Sequence, residues 1–181
     1  MLETNRLDLK LSDLDFVNDV LEFYLENKGF LREWEPSKAK AFFSVAYLEA
    51  VLNNEIEQTK FGGLYRFWIY KKENEKLIGN ICLSNIVRGA FQSCHIGYKL
   101  GEKEMNKGYM SESLEAVIKF AFENLKLHRL EANIMPRNSA SMKLVKKIDF
   151  REEGLAKRYI KINGKWEDHI HMVLLNKTVE K

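Results

Sequence analysis

Proline and cysteine are both scarce in this chain of 181 residues, with two of each: Pro36 and Pro136, Cys82 and Cys94. Two cysteines do not staple a disulfide scaffold, and without C-x₂-C spacing they set up no zinc ligand group, so no metal is expected. Long apolar runs are missing too. Met172–Leu175 is among the longest, far short of the ~20 residues that cross a bilayer. The opening MLETNRLDLKL lacks a basic stretch followed by an apolar core, so no export signal is expected. Charge of one sign is not in excess: 29 Lys and Arg against 26 Asp and Glu leave +3, too even to argue for nucleic acid as a partner. No Gly/Ser tract interrupts the chain, so no domain boundary is expected. What is present, 45% hydrophobic and 30% charged residues, suits one globular domain over residues 1–181, expected in the cytoplasm and off the membrane.

Hydrophobic spacing gives the element order. Leu7, Leu9 and Leu11 alternate as in a short strand, and Ser12 reads as the N-cap of a helix carrying Phe16, Val20, Phe23 and Tyr24. A break is expected at Asn27-Lys28-Gly29, then a loop through Trp34, Glu35 and Pro36, then helix from about Lys38 to Ile56. Phe67–Tyr70, Leu77–Ile86 and Ser93–Leu100 read as three antiparallel strands. Met110, Leu114, Val117, Ile118, Ala121 and Leu125 form one stripe of an amphipathic helix. Arg129–Met135 alternates as a strand and a short helix runs from Asn138 or Ser139 to Lys147. Tyr159–Ile162 and Lys165–Leu175 make a hairpin on Asn163-Gly164, the favoured pair for a type I′ turn. One helix joining two strands implies a single parallel crossover in an otherwise antiparallel sheet, hence an α/β (α+β) fold.

The segment Met105-Asn106-Lys107-Gly108-Tyr109-Met110-Ser111 lies between a strand end and the amphipathic helix. Gly108 lets backbone N–H groups approach a ligand, and the helix start adds about +0.5 of an elementary charge. The combination suits an anion such as a phosphate. It is neither a P-loop nor a dinucleotide fingerprint, and an ordinary glycine turn would look the same.

Together with Asn138-Ser139-Ala140-Ser141 downstream, this order of elements resembles the Gcn5-related N-acetyltransferase (GNAT) superfamily, and within it the RimJ/RimL ribosomal-protein-alanine N-acetyltransferases, RimJ above all. Further RimJ-like stretches are 27–36, Ser84-Asn85-Ile86-Val87-Arg88-Gly89 with Ile96-Gly97-Tyr98, 127–133, and Asn163-Gly164-Lys165-Trp166. The resemblance implies a mostly antiparallel sheet flanked by helices, with one central parallel pair of strands splayed apart to admit the pantetheine of acetyl-CoA. It makes 105–110 the pyrophosphate loop, in which Gly108 fits the family's Q/R-x-x-G-x-G/A pattern while Met105 and Met110 depart from it. Tyr98, Lys99 and Leu100 then offer backbone groups to the pantetheine, Asn138 bonds its arm, and the Ser141 hydroxyl lies near the thioester sulfur. Asp149 stands where the family commonly has glycine, which bears on stability more than on activity.

The implied reaction moves acetyl directly to an amine, with no covalent enzyme intermediate. An α-amino group, with a pKa of about 7.7–8.0, is partly neutral at pH 7, whereas a lysine ε-amine costs roughly 3.5 kcal/mol more to deprotonate. A weak base therefore serves an N-terminal acceptor, and Glu35, His95 and Glu131 are candidates, Glu35 first because it adjoins Trp34 in a loop that could line the acceptor side. The favoured acceptor is the N-terminus of a protein, a ribosomal protein first among them. The alternatives are a small amine (a polyamine or an antibiotic) and a non-catalytic acyl-CoA-binding module. Lys143, Lys146 and Lys147 crowd one short helix and read as a solvated face, or else as a patch for the nucleotide's phosphates or for ribosomal RNA. A homodimer is compatible with all of these readings.

Overall fold

The computed structural model describes residues 1–179. The strands are β1 (Leu2–Glu3), β2 (Leu7–Leu11), β3 (Tyr65–Lys71), β4 (Leu77–Val87), β5 (Ser93–Leu100), β6 (Arg129–Ile134), β7 (Arg151–Ile162) and β8 (Lys165–Leu175), in one sheet of order β1-β2-β3-β4-β5-β6-β8-β7. The helices are α1 (Val17–Leu31), α2 (Val45–Lys60), α3 (Tyr109–Glu123) and α4 (Ser139–Lys147). All neighbours pair antiparallel except β5 and β6, which are joined by the α3 crossover. This is the α/β (α+β) arrangement expected, in the expected order except for the two-residue strand β1, which carries too few residues to show alternation.

Alternation in the strands splits the core in two. Leu7, Leu9, Phe67, Ile69, Ile81 and Ile96 pack with Met110, Leu114, Val117 and Ala121 of α3 and Val145 of α4. On the opposite face Trp68, Tyr70 and Leu77 pack with Val20, Phe23 and Tyr24 of α1 and Leu48 and Leu52 of α2. Met110, which departs from the loop pattern, is thus a core residue, 7% exposed.

Several boundaries move, each for a tertiary reason. Ser12 is not the cap of the first helix. Asp13 caps a short 3₁₀ turn, Leu14–Phe16, by accepting from Asp15 N, while the Ser12 hydroxyl turns inward to Glu55 (2.6 Å) and receives Trp68 Nε1 (3.1 Å). Helix α1 does not break at 27–29. Asn27 is buried, donates back to Phe23 O (2.8 Å) and accepts from Glu102 N (2.9 Å), so it tethers the helix instead of ending it. Helix α2 starts later than Lys38, with Ser44 as its cap, and residues before it form a loop with one 3₁₀ turn at Lys40–Phe42. Strand β7 begins at Arg151, well before Tyr159. It is an exposed edge strand whose register shifts twice, so it carries no alternation to read. Both turn residues of the β7–β8 hairpin, Asn163 and Gly164, have positive φ (49° and 89°), as a type I′ turn requires. Asp149 lies in the left-handed region, with φ 68°, the conformation that a glycine at this position would adopt without strain.

Candidate active site

The parallel pairing of β5 with β6 has only three rungs: Ser93 with Arg129, Cys94 with Leu130, and His95 with Glu131. Beyond them β5 continues through Ile96–Leu100 and β6 through Ala132–Ile134, unpaired with each other. The strands splay into a gap. On its other side β5 stays bonded to β4, from Ser84–His95 to Gly79–Leu100, with Gly101 N donating to Ile78 O (2.8 Å). Alternation from that bond turns the peptide groups of Ile96, Tyr98 and Leu100 toward the gap.

Two elements close the gap on the α3/α4 face. The turn before α3 puts Asn106 (φ 63°) and Gly108 (φ 82°) in the left-handed region, and Gly108 is the N-cap of α3, without a side-chain cap bond. The Glu112 amide is taken by Gly108 O (3.1 Å); ahead of it, Tyr109, Met110 and Ser111 open the helix with N–H groups that have no partner within it. The second element is the start of α4. Asn138 caps it by accepting from Ser141 N (3.1 Å), and the Tyr98 hydroxyl reaches Ser141 O (3.5 Å). Burial pushes the Tyr98 phenol up to about 12, so it stays protonated and a donor. The Ser141 hydroxyl has no partner among the described residues. Tyr98 thus meets the start of α4, where Asn138 and Ser141 lie, and the 105–111 segment follows the end of β5 through the Glu102–Glu104 turn, while Lys143, Lys146 and Lys147 lie exposed on α4.

Lys99 points to the other face of the sheet, where its ammonium contacts the Glu35 carboxylate and lies 5.3 Å from the Tyr24 ring centre. Lys38 is 4.0 Å from the same carboxylate. Glu35 and Ser141, both singled out from the sequence, thus stand on opposite faces of the sheet. Glu35 borders a cavity of about 420 Å³ between α1 and the following loop.

At the fork itself Glu131 gathers His95 Nε2 (3.6 Å), His171 Nδ1 (3.0 Å) and Arg129 Nη2 (3.0 Å). Burial raises the Glu131 pKa, but the Arg129 hydrogen bond and the two histidines outweigh it and hold the carboxyl below its ordinary range. Asn85 Nδ2 lies 3.1 Å from His95 Nδ1. Beside them, the buried atoms Asn133 Oδ1 and His171 Nε2 have no hydrogen-bond partner among the described residues. Among the described residues no three His, Cys, Asp or Glu side chains could hold a metal ion, and no helix is long and apolar enough to cross a membrane.

Sequence reasoning missed the groups that fix the site. Glu112 accepts from the Thr4 hydroxyl (2.6 Å), Arg6 N (2.9 Å) and Arg6 Nε (2.8 Å). The same Arg6 donates to Lys107 O (3.0 Å) and covers the Tyr109 ring (4.5 Å). The loop after α1 is clamped as well: Asn163 accepts from Ser37 N (2.8 Å) and donates to Arg32 O (2.7 Å), and Arg137 bonds Glu33 (3.2 Å) and lies 5.3 Å from the Trp34 ring centre. These partners are far apart in the chain and carry no local signal.

Residues 7–151 match the model of the acetyltransferase (GNAT) domain family. The chain belongs to the GNAT acetyltransferases. This acetyltransferase is 34% identical over 176 residues to the probable N-acetyltransferase YjcK of Bacillus subtilis (strain 168), covering 97% of each chain. It is 35% identical to the ribosomal protein uS5-alanine N-acetyltransferase of Escherichia coli (strain K12), over 93% of this chain and 87% of that one. Among solved structures it superposes on the ribosomal-protein-S5-alanine acetyltransferase from Vibrio fischeri with a TM-score of 0.94 and 31% identity, covering 99% of this chain and 98% of that one. This GNAT chain is thus an acyltransferase, similar over nearly its whole length to enzymes named for acetylating a ribosomal-protein alanine.

Proposed function

We propose that this enzyme takes acetyl from acetyl-CoA and transfers it directly to the N-terminal α-amine of a protein in the cytoplasm, a ribosomal protein first among the candidates. The observation that carries the reading is the early end of the β5–β6 ladder after His95 and Glu131. It leaves backbone groups of Ile96, Tyr98 and Leu100 free to bond an extended arm, as a missing strand would. The resemblance to uS5-alanine N-acetyltransferases supports the choice of acceptor.

Within that reading each group has one task. The N–H groups of 106–111 receive the diphosphate, since amides serve whatever the side chains at Met105 and Met110. The Asn138 side chain keeps its amide N–H₂ for the pantetheine arm while its carbonyl oxygen caps α4. A gap-facing amide of β5 polarises the acetyl carbonyl. The bound thioester supplies an acyl carbon open to amine attack and a thiolate leaving group of pKa about 8.5. The Ser141 hydroxyl donates to that sulfur as the C–S bond breaks. Proton removal from the amine falls to Glu131 with His95, which stand at the fork. Glu35, occupied by Lys99, instead holds the loop against β5. An α-amine near pKa 8 needs no stronger base.

The test is transfer from acetyl-CoA to three acceptors: a peptide with a free N-terminal alanine, the same peptide N-terminally blocked but containing lysine, and a panel of polyamines and aminoglycosides. Label on the free α-amine alone is expected. Label confined to lysine or to the small amines overturns the proposal.

A further inference from the structure

The cavity of about 420 Å³ beside Glu35 is lined by Tyr24, Lys28, Arg32, Glu35, Lys38 and Phe43, among others. Three of these are cations and one is a carboxylate. That carboxylate is already in contact with Lys99, and it lies 4.0 Å from Lys38. Four positive groups thus share a single negative one.

Nearby acids do not restore the balance. Glu33 is taken by Arg137 (3.2 Å) and Glu55 by Arg66 (2.6 Å). Lys28 and the Arg32 side chain have no ion pair among the described residues. Burial lowers the Lys38 pKa; Glu35 opposes the shift, and Lys99 and Arg66 add to it. Positive charge is therefore crowded here, and an entering anion would relieve it.

The position of the cavity selects the anion. It lies on the α1/α2 face, opposite the 105–111 loop and α4, and is linked to the splayed strand through the Lys99–Glu35 contact. Phosphates held by the loop are on the other face. What reaches this side in the proposed reaction is the acceptor chain, entering with its amine toward the fork. We infer that the cavity is a specificity subsite that receives the carboxylate side chain of an Asp or Glu within the first few residues of the acceptor polypeptide. The inference rests on the proposed α-amine acceptor and adds to it a sequence preference.

The experiment measures kcat/KM of the full chain with acetyl-CoA and peptides that begin with a free alanine. A single glutamate is placed in turn at each of the second to fifth positions, and a lysine at the same positions in a matched set. At one position or more the glutamate peptide is expected to be better by about tenfold at low salt, with the ratio collapsing at about 0.5 M NaCl. Arg32→Glu combined with Lys38→Glu is expected to reverse the ratio while the KM for acetyl-CoA stays unchanged. Lys28→Glu, on the helix, is the second variant should the loop pair lower the melting temperature. A wild-type ratio within roughly twofold at every position, or a ratio that survives charge reversal, overturns the assignment alone. Failure to acetylate any free-amine peptide overturns both the assignment and the acceptor reading.

Discussion

At Gly108 the backbone has φ +82°, and a Cβ there would meet Arg6 Nη2 at 3.3 Å. Valine at this position costs about 1–2 kcal/mol in backbone conformation alone and turns the neighbouring N–H groups away from the loop. Gly108→Val is accordingly expected to raise the acetyl-CoA Kd by roughly tenfold or more, read by calorimetry, with the melting transition still cooperative. An unchanged Kd removes the loop from the cofactor site. Ser141 is the complementary case. Its amide is tied up by the Asn138 cap (3.1 Å) while its hydroxyl has no partner among the described residues, so Ser141→Ala leaves α4 intact. The expected result is a kcat lower by roughly tenfold to a hundredfold with little change in acetyl-CoA binding; equal rates reduce Ser141 to a helix residue. Both residues could be read from the sequence because their signal is local: a glycine before an amphipathic helix, and a serine three after an asparagine cap. Arg6 and Glu112, which hold Gly108 in place, could not, because a salt bridge across 106 residues leaves no periodic trace.

Helix α3 is anchored at its first turn. Burial alone would raise the Glu112 carboxyl, but the Thr4 hydroxyl and the amide and guanidinium of Arg6 more than offset it and hold it below the ordinary carboxylate range. A carboxyl depressed in the folded state adds stability that is complete above its unfolded pKa and is lost as pH falls through the folded value. Glu112→Gln is therefore expected to cost about 1–2 kcal/mol at pH 7. The difference from the parent should shrink as pH drops below about 4.5, followed by urea unfolding across that range; a gap independent of pH would contradict the ion-pair origin. At this scale the sequence revealed which elements exist and in what order, since spacing of apolar residues is set by the same core that the helices and strands bury. Element ends were harder. Ser12 and Asn27 have the chemistry of caps and breakers but spend it on Glu55, Trp68 and Glu102, and the long edge strand β7 is too exposed to show alternation.

Across the whole molecule, the loop after α1 and the β7–β8 hairpin are tied together on the face proposed for the acceptor. Asn163 at the hairpin tip bonds both Ser37 and Arg32 O, so the Asn-Gly turn sets a distance as well as a register. Asn163→Ala is expected to raise the acceptor KM several-fold while the Kd for acetyl-CoA holds, measured by initial rates and calorimetry on one preparation. A parallel loss of both would mean the hairpin supports the fold generally. The splayed pair was expected from the resemblance to GNAT enzymes, not from spacing, because nothing in the alternation of Ser93–Leu100 or Arg129–Met135 announces where a ladder stops.

That stopping point also weakens the molecule in a definite place. Among the described residues only three ladder pairs join the five-strand side of the sheet to the three-strand side, so the seam is where thermal breathing should begin. A guest that bridges it would act as a suture. At about 100 times its Kd such a guest adds about 2.7 kcal/mol to the stability, making the working enzyme tougher than the idle one.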